Sequence, residues 1–320
     1  MKTISVVTAC YNEEENVDEI YRRVKAAIAA AGDYVYEHIF IDNRSTDNTV
    51  AILKRIAKSD SNVKIILNAR NFGHVRSPTH ALLEARGDAV INIVADMQDP
   101  PEMIVDFLRE WEDGASVVLA VKNSSAEGRL MYAVRKRYYE FINRIATIQT
   151  FENFTGFGLY DRRVMDLIKS FRDPYPYFRG LIAEIGLPYK LLPYDQPARK
   201  RGLTKNNLYT LYDMAMLGVV NLSKVPLRVV TWIGFVSALV SILVALVYFI
   251  YKLLYWNNFS VGQAPIVIGV FFFSSVQLIS LGILGEYVAA IHTQVQNRPY
   301  VVELERVNFE HPAGRPSLPE

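Results

Sequence analysis

The residues best placed to do chemistry are Ala95-Asp96-Met97-Gln98-Asp99-Pro100-Pro101-Glu102, directly after the apolar run Ala89-Val90-Ile91-Asn92-Ile93-Val94. An apolar run of that kind reads as a buried strand. Acids and an amide carbonyl at the end of such a strand form a hard-oxygen site of the type Mg2+ or Mn2+ prefers. The same residues also fit a plain turn, with an Asp as cap and two prolines releasing the chain into a helix near Glu102. Two further polar clusters follow strand-like runs: Cys10-Tyr11-Asn12-Glu13 after Ile4–Ala9, and Asp42-Asn43-Arg44-Ser45-Thr46-Asp47 after Tyr34–Ile41. Asp42 doubles as a turn cap and Glu13 as an acid of a first helical turn.

The elements that must carry these clusters follow from periodicity. Ile20, Val24, Ala27 and Ile28 predict a helix reaching about Ala31, and Gly32-Asp33 breaks it. Val50, Ile52, Leu53 and Ile56 predict a second helix, Val63–Leu67 a third strand, and Ser77–Ala85 a third helix before the Gly87-Asp88 break. Alternating strands and helices predict a parallel sheet with helices on both faces. Ligands of such sheets sit at the carboxyl ends of the strands, where all three polar clusters fall.

The 320 residues carry 35 Lys+Arg against 33 Asp+Glu, which excludes a globally basic nucleic-acid binder. The single cysteine, Cys10, excludes an intramolecular disulfide framework, fits a reducing compartment and reads as a small buried residue. Met1–Ala9 is too short and strand-like for a signal peptide, so the N-terminal domain is expected to stay in the cytoplasm. Val229–Tyr251 and Gln263–Gly285 contain no charged residue and are long enough to cross a bilayer. Basic residues flank the pair (Arg199, Lys200, Arg201, Lys205, Lys224 and Arg228 before, Arg298 and Arg306 after), whereas Lys252 is alone between the two runs. Both ends are therefore expected inside and the short loop outside, with Trp232 and the Tyr251–Trp256 cluster as interfacial anchors. Leu208–Val220 reads as an amphipathic helix on the bilayer surface, leading through Pro226 into the first span. The expected division is a catalytic domain at 1–206, a juxtamembrane helix at 207–226, two spans within 227–288 (about 229–251 and 263–285), and a cytoplasmic tail at 289–320, mobile after Val307.

Four motifs in this order carry a resemblance. Val7-Thr8-Ala9-Cys10-Tyr11-Asn12-Glu13, Asp42–Asp47, Arg70-Asn71-Phe72-Gly73-His74 and Asp96-Met97-Gln98-Asp99-Pro100-Pro101-Glu102 resemble those of family 2 glycosyltransferases of the GT-A (Rossmann-like α/β) fold. More narrowly, the chain resembles the polyprenyl-phosphate group, which includes bactoprenol glycosyltransferases and dolichol-phosphate mannose synthase. Phe178-Arg179-Gly180-Leu181, Arg199–Lys205, Pro226-Leu227-Arg228, Gly285-Glu286-Tyr287 and Asn297-Arg298-Pro299 extend the likeness from about Thr3 to Val302.

The resemblance implies an inverting transfer from a nucleotide sugar, UDP-linked, to undecaprenyl phosphate, at the cytoplasmic face of a bacterial inner membrane and in service of cell-envelope glycans. It implies Asp96 and Gln98 as metal and diphosphate residues with Mg2+ or Mn2+, and Thr8, Tyr11, Asn12, Glu13, Asp42 and Arg70 as the nucleotide-sugar pocket. Lys122, Arg135, Arg137, Arg199, Arg201 and Lys205 are the candidate clamp for the acceptor phosphate, with Arg201 also counted as catalytic. A cationic face attracted to anionic headgroups is the alternative for these residues, above all Arg135 and Arg137. A homo-oligomer, tetrameric by resemblance, is expected. Three positions depart from the pattern: Val94 stands where relatives carry an acid, Val75-Arg76-Ser77-Pro78-Thr79-His80 replaces small residues, and Glu184 replaces an aromatic. Arg76, His80 and Glu184 are candidates for reshaping the sugar pocket, although His80 on an apolar helix reads first as a structural histidine. Two rivals remain at this point: a non-catalytic scaffold or flippase partner, favoured by Val94, and a polysaccharide synthase, disfavoured by having only two spans.

Overall fold

A computed structural model describes residues 1–124, 137, 140, 142–146, 148, 151–197, 208–255 and 263–309. The chain divides into two units, one of Met1–Tyr139, Ile148–Leu208 and Asn297–Glu320, the other of Glu140–Thr147 and Tyr209–Gln296.

The first unit is built on β1 (Thr3–Cys10), α1 (Val17–Ala31), β2 (Val35–Asp42), α2 (Thr49–Ser59), β3 (Val63–Asn68), α3 (Gly73–Glu84) and β4 (Ala89–Val94). A short 3-10 turn at Pro101–Met103 leads into α4 (Ile104–Glu112), then β5 (Val117–Ser124), β6 (Phe154–Asp161), α5 (Arg162–Phe171), α6 (Phe178–Ile185), β7 (Tyr189–Asp195) and finally β8 (Glu303–Val307). The eight strands lie in the order β7-β5-β6-β4-β1-β2-β3-β8. Period-two alternation sends neighbours along a strand to opposite faces. Val6, Phe40 and Ile65 meet Val17, Ile20 and Val24 of α1, Leu53 of α2 and Phe107 of α4 on one face. Val7, Ile39, Ile41 and Ile66 pack with Ala81 and Leu82 of α3 and with Val164 and Ile168 of α5 on the other.

The parallel expectation holds for β3-β2-β1-β4 and for the β5–β7 pair. β6 inserts between β4 and β5 and runs against both, so the sheet is mixed. Gly158 makes that insertion feasible: a Cβ there would lie 2.4 Å from the Val118 carbonyl oxygen. The helix near Ser77 begins a turn earlier, at Gly73, where the Asn71 side chain accepts the first N–H at 2.8 Å. The segment read as a plain tail from 289 contributes a strand, with β8 antiparallel to β3.

The second unit contains α7 (Leu208–Leu222), α8 (Val225–Leu254) and α9 (Gln263–Gln296). α8 and α9 are each long and apolar enough to cross a membrane, and their side chains are exposed, Trp232 at 67% and Phe271 at 71% among them. Around the α7–α8 junction, Ser223 Oγ donates to the Ile145 carbonyl at 2.7 Å while the Ser223 carbonyl accepts Tyr287 Oη at 2.7 Å.

Candidate active site

β1, β2 and β4 are adjacent and parallel, so their carboxyl ends open on one rim. Each of the three following loops contains a non-glycine residue in the left-handed region: Asn12 at φ 56°, Arg44 at 69° and Met97 at 63°. Left-handed backbone costs an L-residue about 1–2 kcal/mol and persists only where its surroundings over-determine it. For the first two loops the surroundings are side chains crossing between them. Asn12 N–H donates to Ser45 Oγ and Asn12 Oδ1 accepts the Thr46 N–H, both at 2.8 Å. Glu13 N–H donates to Thr49 Oγ1 at 2.8 Å, and Asp47 caps Thr49 N–H at 3.0 Å.

Asp42 is 1% exposed and accepts the Ser45 N–H at 2.9 Å as well as the Ser45 hydroxyl. It therefore does cap its turn. Burial pushes its carboxyl above the usual range. The buried Cys10 thiol is also raised, first by burial and then by the negative charges of Asp42, Glu13 and Asp47 around it. Glu13 accepts Asn16 Nδ2 at 2.7 Å at the start of α1. Tyr11 and Asn12 are half-buried on the same rim.

Along Val94–Asp99 burial alternates. Val94 is 40% exposed, Asp96 and Gln98 are partly open, and Ala95, Met97 and Asp99 are buried. Asp96 and Gln98 thus share one side, and the Gln98 N–H holds Asp96 Oδ1 at 3.1 Å. Val94, by the same alternation, falls on that side, where the family resemblance implies an acid. Asp99 points inward as a hydrogen-bond acceptor for the Tyr194 hydroxyl at 3.1 Å and the Val94 N–H at 3.4 Å. Burial, followed by the charge of Asp96, pushes Asp99 up to about 7. Asp99 therefore braces the loop from inside the fold.

Among the described residues no group of three or more His, Cys, Asp and Glu lies together to hold a metal ion. One carboxylate and one amide nevertheless fit the mode in which Mg2+ takes its remaining oxygens from substrate phosphates and water.

Other expected residues fall elsewhere. Thr8 is fully buried, and its hydroxyl lies 2.9 Å from His38 Nε2 inside the sheet, so it does not line the rim. Arg70 sits at the outer edge of the sheet, 4.0 Å over the Phe72 ring. Lys122 of β5 bears on Asp99 electrostatically. Arg137 is exposed. Arg135, Arg199, Arg201 and Lys205 lie outside the described residues. Neither Arg76 nor His80 is shown shaping a sugar pocket: Arg76 donates to the Pro299 carbonyl, and His80 pairs with Glu303 of β8. Glu184 is exposed on α6.

Sequence reasoning missed the residues that hold the rim in shape. Asn43 Nδ2 donates to Asn71 Oδ1 at 2.9 Å, while Asn43 Oδ1 accepts the Phe72 N–H at 2.8 Å and Asn68 Nδ2 at 3.1 Å. Their asparagine type was visible, but their pairing across loops was not.

A sequence profile described as glycosyl transferase family 2 matches residues 5–168. The SfII prophage-derived bactoprenol glucosyl transferase of Shigella flexneri is 34% identical over 302 residues, 94% of this chain and 97% of its own length. An uncharacterized glycosyltransferase of Synechocystis is 32% identical over 297 residues, covering 92% of this chain and 93% of its own. A prophage bactoprenol glucosyl transferase homolog of Escherichia coli K12 is 31% identical over 302 residues, 94% and 98% respectively.

Proposed function

This chain belongs to glycosyl transferase family 2, and from that premise we infer that it moves a sugar from a nucleotide sugar to a polyprenyl phosphate. The observation that carries the reading is the rim itself: Tyr11, Asn12, Asp42, Asp96 and Gln98 meet at the ends of three adjacent parallel strands. Relatives that match nearly its whole length bear the name bactoprenol glucosyl transferase, which favours a lipid phosphate acceptor. The donor is a UDP-sugar in this reading.

The acceptor phosphate is already an anion, so attack on the anomeric carbon needs no general base. A phosphate oxygen forms the new bond to that carbon as the bond to the diphosphate oxygen breaks, and the electron pair leaves with UDP. In-line displacement inverts the centre. Asp42 and the Asn12 loop orient the nucleotide, and the fixed left-handed turn at Met97 presents Asp96 and Gln98 to the diphosphate. A bound Mg2+ or Mn2+ would offset the charge growing on the leaving diphosphate. The acceptor clamp includes Lys122 and the basic residues of the Arg199–Lys205 run.

Membrane placement has its own support. Trp232 and Tyr251 are 19 residues apart on α8, about 28 Å at helical rise, which matches the hydrocarbon thickness of a bilayer. β7 precedes the two apolar helices and β8 follows them in one sheet, so the chain between crosses an even number of times. The excess of Lys and Arg outside the hairpin loop supports a cytoplasmic sheet.

The deciding assay gives purified full-length protein a labelled UDP-sugar, undecaprenyl phosphate and Mg2+ or Mn2+, then looks for label in the lipid phase. Asp96→Asn should lower that rate by about 10²–10³ with unchanged expression. No lipid-linked product from any common nucleotide sugar, with folded protein, would overturn the reading.

A further inference from the structure

A second cluster lies on the outer edge of the sheet. Ala69, Arg70, Phe72, Arg76, Arg298, Pro299 and Val302 line an open pocket of about 380 Å³ that contains none of Tyr11, Asp42 or Asp96. β8 brings its two halves together: the Ala69 N–H donates to the Val302 carbonyl at 2.9 Å, which draws Arg298 and Pro299 against the start of α3.

Three guanidiniums share this pocket and, among the described residues, no carboxylate lines it. Arg70 and Arg76 lie 4.0 Å and 5.3 Å from the Phe72 ring centroid, so the ring orders both. The Arg76 guanidinium anchors one nitrogen on the Pro299 carbonyl, while its Nε is buried without a hydrogen-bond partner. Burial, then the positive charges of Arg70 and Arg298, hold Arg76 below the usual arginine range. Like charges gathered at such a cost, with a donor left unsatisfied, are compensated by an anion that accepts from several guanidinium N–H groups at once.

We propose that Arg70, Arg76 and Arg298 form an oxyanion site for a phosphate-class group, separate from the rim that faces the nucleotide sugar. A tetrahedral phosphate matches the forked donors of arginine, and Phe72, Pro299 and Val302 offer an apolar wall to whatever the phosphate is attached to. This assigns Arg70 to the edge pocket and not to the nucleotide. It also gives Arg76 a purpose at a position where the family resemblance has a small residue. The phosphate has two sources, a phosphate-bearing solute or an anionic lipid headgroup.

The test uses full-length protein in phosphatidylcholine nanodiscs, and compares wild type with Arg76→Gln and with the exposed Arg298→Gln. Thermal unfolding is followed against inorganic phosphate at matched ionic strength, and separately against UDP with Mg2+. A solute site gives a saturable rise in Tm with phosphate, weakened about tenfold in apparent Kd in each variant, with UDP stabilisation unchanged. A lipid site gives a higher wild-type Tm in phosphatidylglycerol than in phosphatidylcholine discs, a difference that both variants lose. Variants that respond like wild type to phosphate and to phosphatidylglycerol overturn the proposal. So does a parallel loss of phosphate and UDP stabilisation, which would make these arginines part of the nucleotide site. Failure of the donor reading looks different: UDP leaves wild-type Tm unmoved while the phosphate arm still reports.

Discussion

At the scale of single residues, the rim is held by backbone strain and by polar groups whose partners come from other loops. Asn12 and Arg44 keep left-handed conformations where hydrogen bonds from Ser45 and Thr46 cross between their loops, and Met97 where the Gln98 N–H closes onto Asp96 within its own loop. Beneath them, His38 is fully buried against Phe40, with ring centroids 4.0 Å apart, and burial lowers it to about 3. An unfolded chain takes up that proton near pH 6.5, whereas the folded chain does not until about 3. The unfolded state therefore binds more protons through this window, and stability is full above about 6.5 and falls as the pH drops toward 3. We expect wild type to lose about 1–2 kcal/mol more than His38→Gln between pH 6.5 and 5, read from denaturation curves. Parallel pH profiles for the two proteins would remove His38 from the account.

Among the elements, β8 is the one the sequence least announces. Its strand pairing with β3 is reinforced by Glu303, which accepts Arg306 and contacts His80 of α3, while Arg306 reaches Glu84 at 2.8 Å. The Glu303 carboxylate, 18% exposed, is held down at about 2, with burial opposing and the Arg306 and His80 hydrogen bonds prevailing. Arg76 and His80 of α3 both turn their side chains to this returning segment. Glu303→Gln should loosen β8 locally by about 1–2 kcal/mol, seen as faster amide exchange in Ile65–Asn68 while β1 amides keep their protection. Uniform acceleration across the sheet would instead make Glu303 a determinant of global stability. Gly158 sets a second condition at this scale: Gly158→Ala would push a methyl into the Val118 carbonyl and cost about 1–3 kcal/mol, checked by thermal unfolding.

For the molecule as a whole, the order of the chain bears on how it would meet a membrane. β7 and β8 belong to one sheet although α8 and α9 intervene in sequence, and the proposed hairpin is tested on that basis. With Cys10 replaced by Ser, a cysteine placed at Ser260 should react with an impermeant thiol reagent in intact spheroplasts. One at exposed Arg172 should react only after lysis. Equal labelling of both positions before lysis would rule out a crossing hairpin with the sheet inside.

Periodicity and composition, which are local, sufficed for the strand–helix alternation, the polar clusters at strand ends and the two apolar helices. The family motifs added the chemistry those clusters serve. Tertiary structure alone decided which side of each cluster is open. A period of two says that Asp96 and Asp99 face opposite ways, but only packing against Tyr194 shows that Asp99 is the buried one. The same holds for Thr8, turned onto His38, and for β6, whose direction is set by pairing with β4 and β5. Arg70 and Arg76 are near neighbours in sequence, but Arg298 joins them in the edge pocket only because the chain returns through β8 to β3. Contacts of that kind depend on long-range register, which no stretch of sequence carries by itself.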